Sequence, residues 1–208
     1  MTPNHLSNRR ALTLLELMLS LVVTALIAGA VAGMMAAVTT GVSTRRDTRS
    51  TMVGANAASA RLGGYIATAR CILYANGSNL VIWLNDDRES ETVHATEVRW
   101  FLFNPASDSF QVHFVSFPDA WAQAAKDLED GEYPPDANWM QVLASFKSKG
   151  WTTSMPLVDN LDAVAITTNH ADPLTSRHIG FDLSFLTSDS TMDVCVAATI
   201  RMHRIPSS

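Results

Sequence analysis

From Leu17 to Val42 the chain carries no charged side chain, and its only hydroxyls there are Ser20, Thr24, Thr39 and Thr40. Wound as a helix at about 1.5 Å per residue, this run reaches about 39 Å, enough to cross a hydrocarbon core of roughly 30 Å with some tilt. One carboxylate, Glu16, stands immediately before it. An acid within an apolar segment costs about 2.5–3.5 kcal/mol on insertion, so it reads as a functional group with a partner to be named. An ordinary anchor has no use for it.

The residues around Glu16 narrow the reading. Arg9 and Arg10 precede Ala11, and Leu12-Thr13-Leu14-Leu15-Glu16 follow. This order resembles the prepilin N-terminus of type IV pilins and type II secretion pseudopilins: a short basic leader, a small residue, an apolar residue, Thr, two aliphatics and Glu. The family more often has Gly where Ala11 stands, and Phe or Met where Leu12 stands. The resemblance implies a leader over residues 1–11, cut between Ala11 and Leu12 by a membrane prepilin peptidase, with N-methylation of Leu12. It also implies an assembly half of the helix over 12–42, an amphipathic half over 43–75 and an extracytoplasmic head over 76–208. Once cut, Leu12 carries an α-amino group with an ordinary pKa near 8, protonated at neutral pH. Within one helix that amine and Glu16 stand about one turn apart. In an assembly, the resemblance implies, Glu16 of one subunit instead neutralises the Leu12 amine of its neighbour, because paired charges attract strongly in low dielectric and either one alone is costly. The plainer alternative is a carboxylate snorkelling to the interface. The expected partners are sister subunits, the peptidase, an inner-membrane assembly platform and membrane lipid.

Composition points away from nucleic acid, and with no catalytic motif in the sequence a non-enzymatic structural role is expected. The net charge is −5, and setting aside Arg9 and Arg10 leaves 13 basic against 20 acidic side chains, a net of −7. A nucleic-acid binder needs a basic face. The one basic cluster, Arg45, Arg46 and Arg49, follows the apolar run and suits lipid head groups. It also opposes Arg9 and Arg10 in the positive-inside rule. The leader motif decides the expected topology: a single pass through a bacterial inner membrane, N-terminus cytoplasmic and head periplasmic.

Neither a cofactor nor a metal is expected. The six histidines (His5, His94, His113, His170, His178, His203) show no metal-ligand spacing, and no P-loop, G-x-S-x-G or G-x-G-x-x-G occurs. Asp86, Asp87, Glu89 and Glu91 offer oxygens for calcium, but without the interleaved ligand pattern or the turn glycine; a solvated hairpin turn is the plainer reading. Cys71 and Cys195 are too few for a disulfide scaffold. In an exported head they either bridge or remain two buried thiols. Trp121, Trp139 and Trp151 either pack a helical insertion onto the sheet or serve as interface anchors.

The fold expected is α+β: a long N-terminal helix, part transmembrane and part amphipathic, packed on an antiparallel sheet. No proline interrupts Val42–Leu73, and Met52, Ala55, Leu62, Ile66, Ala69 and Leu73 recur at helical spacings. Ala57, Ala60 and Gly64 form a second, small-residue face. Asn76-Gly77-Ser78 should end the helix. Six strands are expected at 79–84, 97–103, 109–117, 161–167, 179–186 and 193–202, with short helices at 119–128 and 137–146. Phe110, Val112 and Phe114 should face the helix by alternation. The two strand groups and the NLVIWLNDD hairpin resemble the larger J-type minor pseudopilins.

Two other readings compete. Ala28-Gly29-Ala30 has the form of a signal-peptidase site behind an apolar region, which would make the remainder a secreted domain; Glu16 and the further apolar run Val31–Val38 weigh against it. The other is an unprocessed, singly anchored extracytoplasmic binding domain.

Overall fold

The structure is a computed structural model describing residues 14–88, 90–187 and 190–207, with backbone alone for 42–47. The chain divides into two compact units after Arg46. Helix α1 (Leu14–Thr68) contributes to both.

In the unit from Asp47 onward, the last third of α1 is amphipathic. Ala55, Ala58, Leu62, Ile66 and, just past the helix end, Ala69 are buried in one cluster, and their spacings of three and four put them on one stripe. Met52, expected on that stripe, is exposed. Ala60 and Gly64 lie exposed and Ala57 half-buried. The helix stops at Thr68 rather than near Asn76. The Thr68 hydroxyl donates to the Gly64 and Tyr65 carbonyls (3.0 Å each), and the Arg70 amide already donates to Trp83 O (2.8 Å). Cys71–Asn76 (CILYAN) is therefore strand β1. Leu73, expected on the helix stripe, is instead a strand residue buried in a different cluster, with Val81, Trp83 and Trp139.

The strands that follow are β2 (Asn79–Trp83), β3 (Val93–His94), β4 (Val98–Asn104), β5 (Ser109–Val115), β6 (Glu132–Tyr133), β7 (Thr152–Asp159), β8 (Leu161–Thr168), β9 (His178–Leu186) and β10 (Thr191–Thr199). Two helices, α2 (Gln123–Glu129) and α3 (Trp139–Ser148), lie between β5 and β7. The main sheet is antiparallel with order β1-β2-β4-β5-β7; β10-β9-β8 form a second sheet, and β3 pairs with β6. All six expected strands are present, with shifted ends. β7 was not expected, because Pro156 interrupts its pattern. It is tolerated because β7 is an edge strand and Pro156 pairs with Gln111 beside a bulge.

Both faces of the main sheet are covered. Leu80, Ile82, Phe101, Phe110 and Val112 pack with the α1 stripe and with Phe181, Leu183 and Phe185 of the second sheet. On the other face Val81, Trp83, Val98, Trp100 and Val115 pack with Trp139, Leu143 and Phe146 of α3. Phe110 and Val112 thus face the helix as expected. Phe114, on the same face, is only half-buried, and Arg99 lies over its ring at 5.3 Å. The chain changes sheets at Asn160, where φ is 65°. The Asn160 side-chain amide donates to Leu186 O (2.6 Å) and the Leu161 amide donates to Asp108 O (2.9 Å), so the junction is held from two sides.

Candidate membrane and assembly segment

The apolar run is helical throughout its described length. Leu14–Gly41, 28 residues with a mean hydropathy of 2.3, is long and apolar enough to cross a membrane, and none of it is buried within the chain. At 100° per residue Leu14, Leu15, Val23, Val31 and Leu17 point in turn around the whole circumference, and all are exposed. A helix lying on a core would show one apolar stripe; this one has no polar face. Its hydroxyls turn inward onto their own backbone. Ser20 donates to Glu16 O (2.8 Å), Thr24 to Ser20 O (2.7 Å), Thr39 to Met35 O (2.7 Å) and Thr40 to Ala36 O (3.0 Å). This back-bonding supplies each hydroxyl with an acceptor without water.

Glu16 stands in the first described turn of α1. Arg9, Arg10, Ala11 and Leu12 lie outside the described residues, as do His5 and Glu89, and so do the side chains of Arg45 and Arg46. A feature that the sequence reading passed over is the four-residue spacing of Ala25, Gly29, Gly33, Ala37 and Gly41. A Cβ placed on Gly29, Gly33 or Gly41 would meet nothing within 4 Å. This is the small-x-x-x-small pattern that lets helix backbones approach closely in a bilayer.

The head holds its acids apart. Asp86 Oδ1 accepts the Ser90 amide (3.1 Å), Asp87 Oδ1 accepts from the Asn85 side chain, and Glu91 pairs with Arg204. No group of three His, Cys, Asp or Glu gathers into a metal site among the described residues. Asp86 is itself buried, and two further acids are buried more deeply. Glu97, 1% exposed, accepts the Trp83 indole N–H (3.0 Å) and the His94 amide (3.2 Å) on Oε2, and the Asp87 and Arg88 amides (2.8 and 3.3 Å) on Oε1. Asp130 accepts the Thr96 amide (3.0 Å) and Arg88 Nη2 (2.9 Å). These two carboxylates tie the 84–97 loop to β2 and to the segment after α2, a structural role for polar groups that would otherwise be costly to bury.

The two cysteines are free and do not bridge. Cys71 is buried on the α3 side of the main sheet, and burial, helped by Asp172, pushes its thiol up to about 12. Cys195 is exposed on β10 and donates to Asp182 Oδ1 (2.8 Å), which raises its pKa. Trp139 packs against Trp100 and donates to Pro135 O (3.0 Å). Trp121 and Trp151 stay half-buried in a cluster with Phe117 and Phe146. Packing is thus where all three tryptophans are used within the chain.

Comparison with protein-family models, with curated proteins and with solved structures finds no match for this chain.

Proposed function

We propose that this chain is a non-enzymatic, pilin-like structural subunit, of the type IV pilin or type II secretion pseudopilin kind. In this reading it is cut between Ala11 and Leu12 and assembles through its N-terminal helix into a pilus-like filament. The observation that carries the proposal is Leu14–Gly41: a helix apolar on every side, with the single carboxylate Glu16 at its start. An acid beside so long an apolar run is costly to insert and reads as a functional group. In a filament a sister subunit offers a small-residue surface to the Gly29–Gly33 stripe and its Leu12 amine to Glu16. The J-type minor pseudopilin is the finer form of the proposal, supported by the size of the two-sheet head. Its location would be the bacterial inner membrane, with the head in the periplasm.

The deciding measurement is the intact mass and N-terminal sequence of the chain recovered from membranes of its host. A start at Leu12, one methyl heavier, is expected. A start at Val31 makes it a secreted domain, and an uncut chain an ordinary anchor; either result overturns the proposal. Glu16→Ala should then insert and be cut normally yet enter filaments poorly.

A further inference from the structure

The sheet edges of the head are finished differently. The β1 edge is overlaid by the chain's C-terminal segment, whose Arg204 amide donates to Arg70 O (2.9 Å), and by the turn at Pro173–Thr175. The β7 edge carries Pro156 and a bulge. The β8 edge receives the β1–β2 turn, with the Ile166 amide donating to Gly77 O (2.7 Å). β10 has none of these devices. It pairs with β9 residue for residue through all nine positions without a bulge, and contains neither proline nor lysine. Among the described residues, no β10 amide donates to a backbone carbonyl outside β9. A long, flat, open edge of this kind is a template for another strand.

We propose that β10 is a self-association edge, pairing antiparallel with β10 of a second copy about a two-fold axis at Cys195. Two copies joined edge to edge by a two-fold present the same sheet face, so outward residues must meet outward residues. Of the registers this allows, only the one centred on Cys195 pairs all nine positions. It sets Thr191 against Thr199, Met192 against Ala198, Asp193 against Ala197, Val194 against Val196, and Cys195 against its own copy. The single charge, Asp193, meets a small neutral residue. Centring on residue 193 would instead set Asp193 against itself, a like-charge pair that destabilises a sheet. Met192 and Val194 are half-buried, Val194 against the core, and would be covered by the copy's Ala198 and Val196. The outward face at the seam is small and exposed: Cys195, Ala197 and Thr199. This inference does not depend on the pilin reading.

Edge pairing alone buries little surface, so the dimer should be weak and is better trapped than sized. Opposed residues in an antiparallel pair have Cα atoms about 4.5–5.5 Å apart, within the range a disulfide spans. The purified full chain in detergent is treated with copper(II)–phenanthroline in air. Each Cys195 thiol gives up one electron and one proton to the oxidant, and one S–S bond forms. A disulfide dimer is expected that Cys195→Ser abolishes. Ala197→Asp, which faces Asp193 across the seam, should cut the yield about fivefold or more, while Ala197→Lys keeps or raises it. No dimer from a chain whose Cys195 reacts freely with maleimide would overturn the proposal. Equal yields from Ala197→Asp and Ala197→Lys would show random collision and overturn it as well.

Discussion

Glu97 is the residue on which the loop from Leu84 to Glu97 depends, and Glu97→Ala tests this directly. Its carboxylate serves four donors, two on each oxygen. The Asp87 and Arg88 amides belong to exposed residues and can turn to water once the carboxylate is gone. The Trp83 indole and the His94 amide cannot, because Trp83 is 0% and His94 5% exposed. Each buried donor left without an acceptor costs about 1–3 kcal/mol, so Glu97→Ala should lose about 2–6 kcal/mol. Glu97→Gln keeps one acceptor oxygen. With that oxygen turned toward Trp83 and His94, the new amide group faces the two loop amides, and the loss should be about half as large. In a Trp83→Phe background one buried donor is absent, and Glu97→Ala should then cost about 1–3 kcal/mol less. Guanidinium unfolding of the detergent-solubilised full chain, followed by near-ultraviolet circular dichroism, reads these differences. Hydrogen exchange at the Asp87 and His94 amides reports the loop itself. Glu97→Ala within 1 kcal/mol of the parent, or a cost unchanged by Trp83→Phe, would refute the reasoning.

Burial, with Lys147 adding to it, holds the His113 imidazole at about 4, below its usual 6.5. The unfolded chain takes up that proton first, so stability is complete above pH 6.5 and is lost as pH falls toward 4. The loss by pH 5 should be on the order of 1 kcal/mol after discounting for solvent screening, and His113→Gln should remove it from denaturation midpoints compared at pH 7 and pH 5. A Cβ on Gly180 would lie 2.6 Å from Thr167 Oγ1. Gly180→Ala should therefore cost about 1–2 kcal/mol in thermal unfolding, and much of that should return in a Thr167→Ala background. In a membrane helix-association reporter, Gly33→Ile should weaken self-association of Leu14–Gly41 about tenfold, while Val31→Ile, on the opposite side of the helix, should leave it unchanged.

What was legible in the sequence was whatever one period announces. The charge-free run, the Ala55–Leu62–Ile66 stripe and the six β-rich runs each declare themselves in one local stretch, and each is where it was expected. The misreadings fall where two signals overlap. Ala69 and Leu73 continue the helical spacing of Ile66, yet the β-favouring CILYAN stretch and its pairing with β2 take the chain into a strand at Cys71. Pro156 hid β7, because an edge position at which a missing N–H does no harm is a property of the assembled sheet and not of eight residues. The place where the chain leaves one sheet for the other is likewise marked only by Asn160 and its bond to Leu186, 26 residues away.

The polar groups divide the same way. Asp86, Asp87 and Glu91 are close in sequence, which drew a metal-site question, but the structure sends each to a separate partner. Glu97 and Asp130, the most deeply buried acids, gave no local sign, since their donors come from β2, from the 85–96 loop and from Arg88, 42 residues before Asp130. Glu16 differs from both sets because its anomaly is visible without any tertiary structure: it adjoins a run with no other charge. Within that run even the hydroxyls are turned back on the helix. In the proposed reading, the carboxylate beside such a helix meets the amine of a sister subunit in a place without water. A lone anchor would gain by replacing that carboxylate with leucine; a helix that must find its register beside another would not.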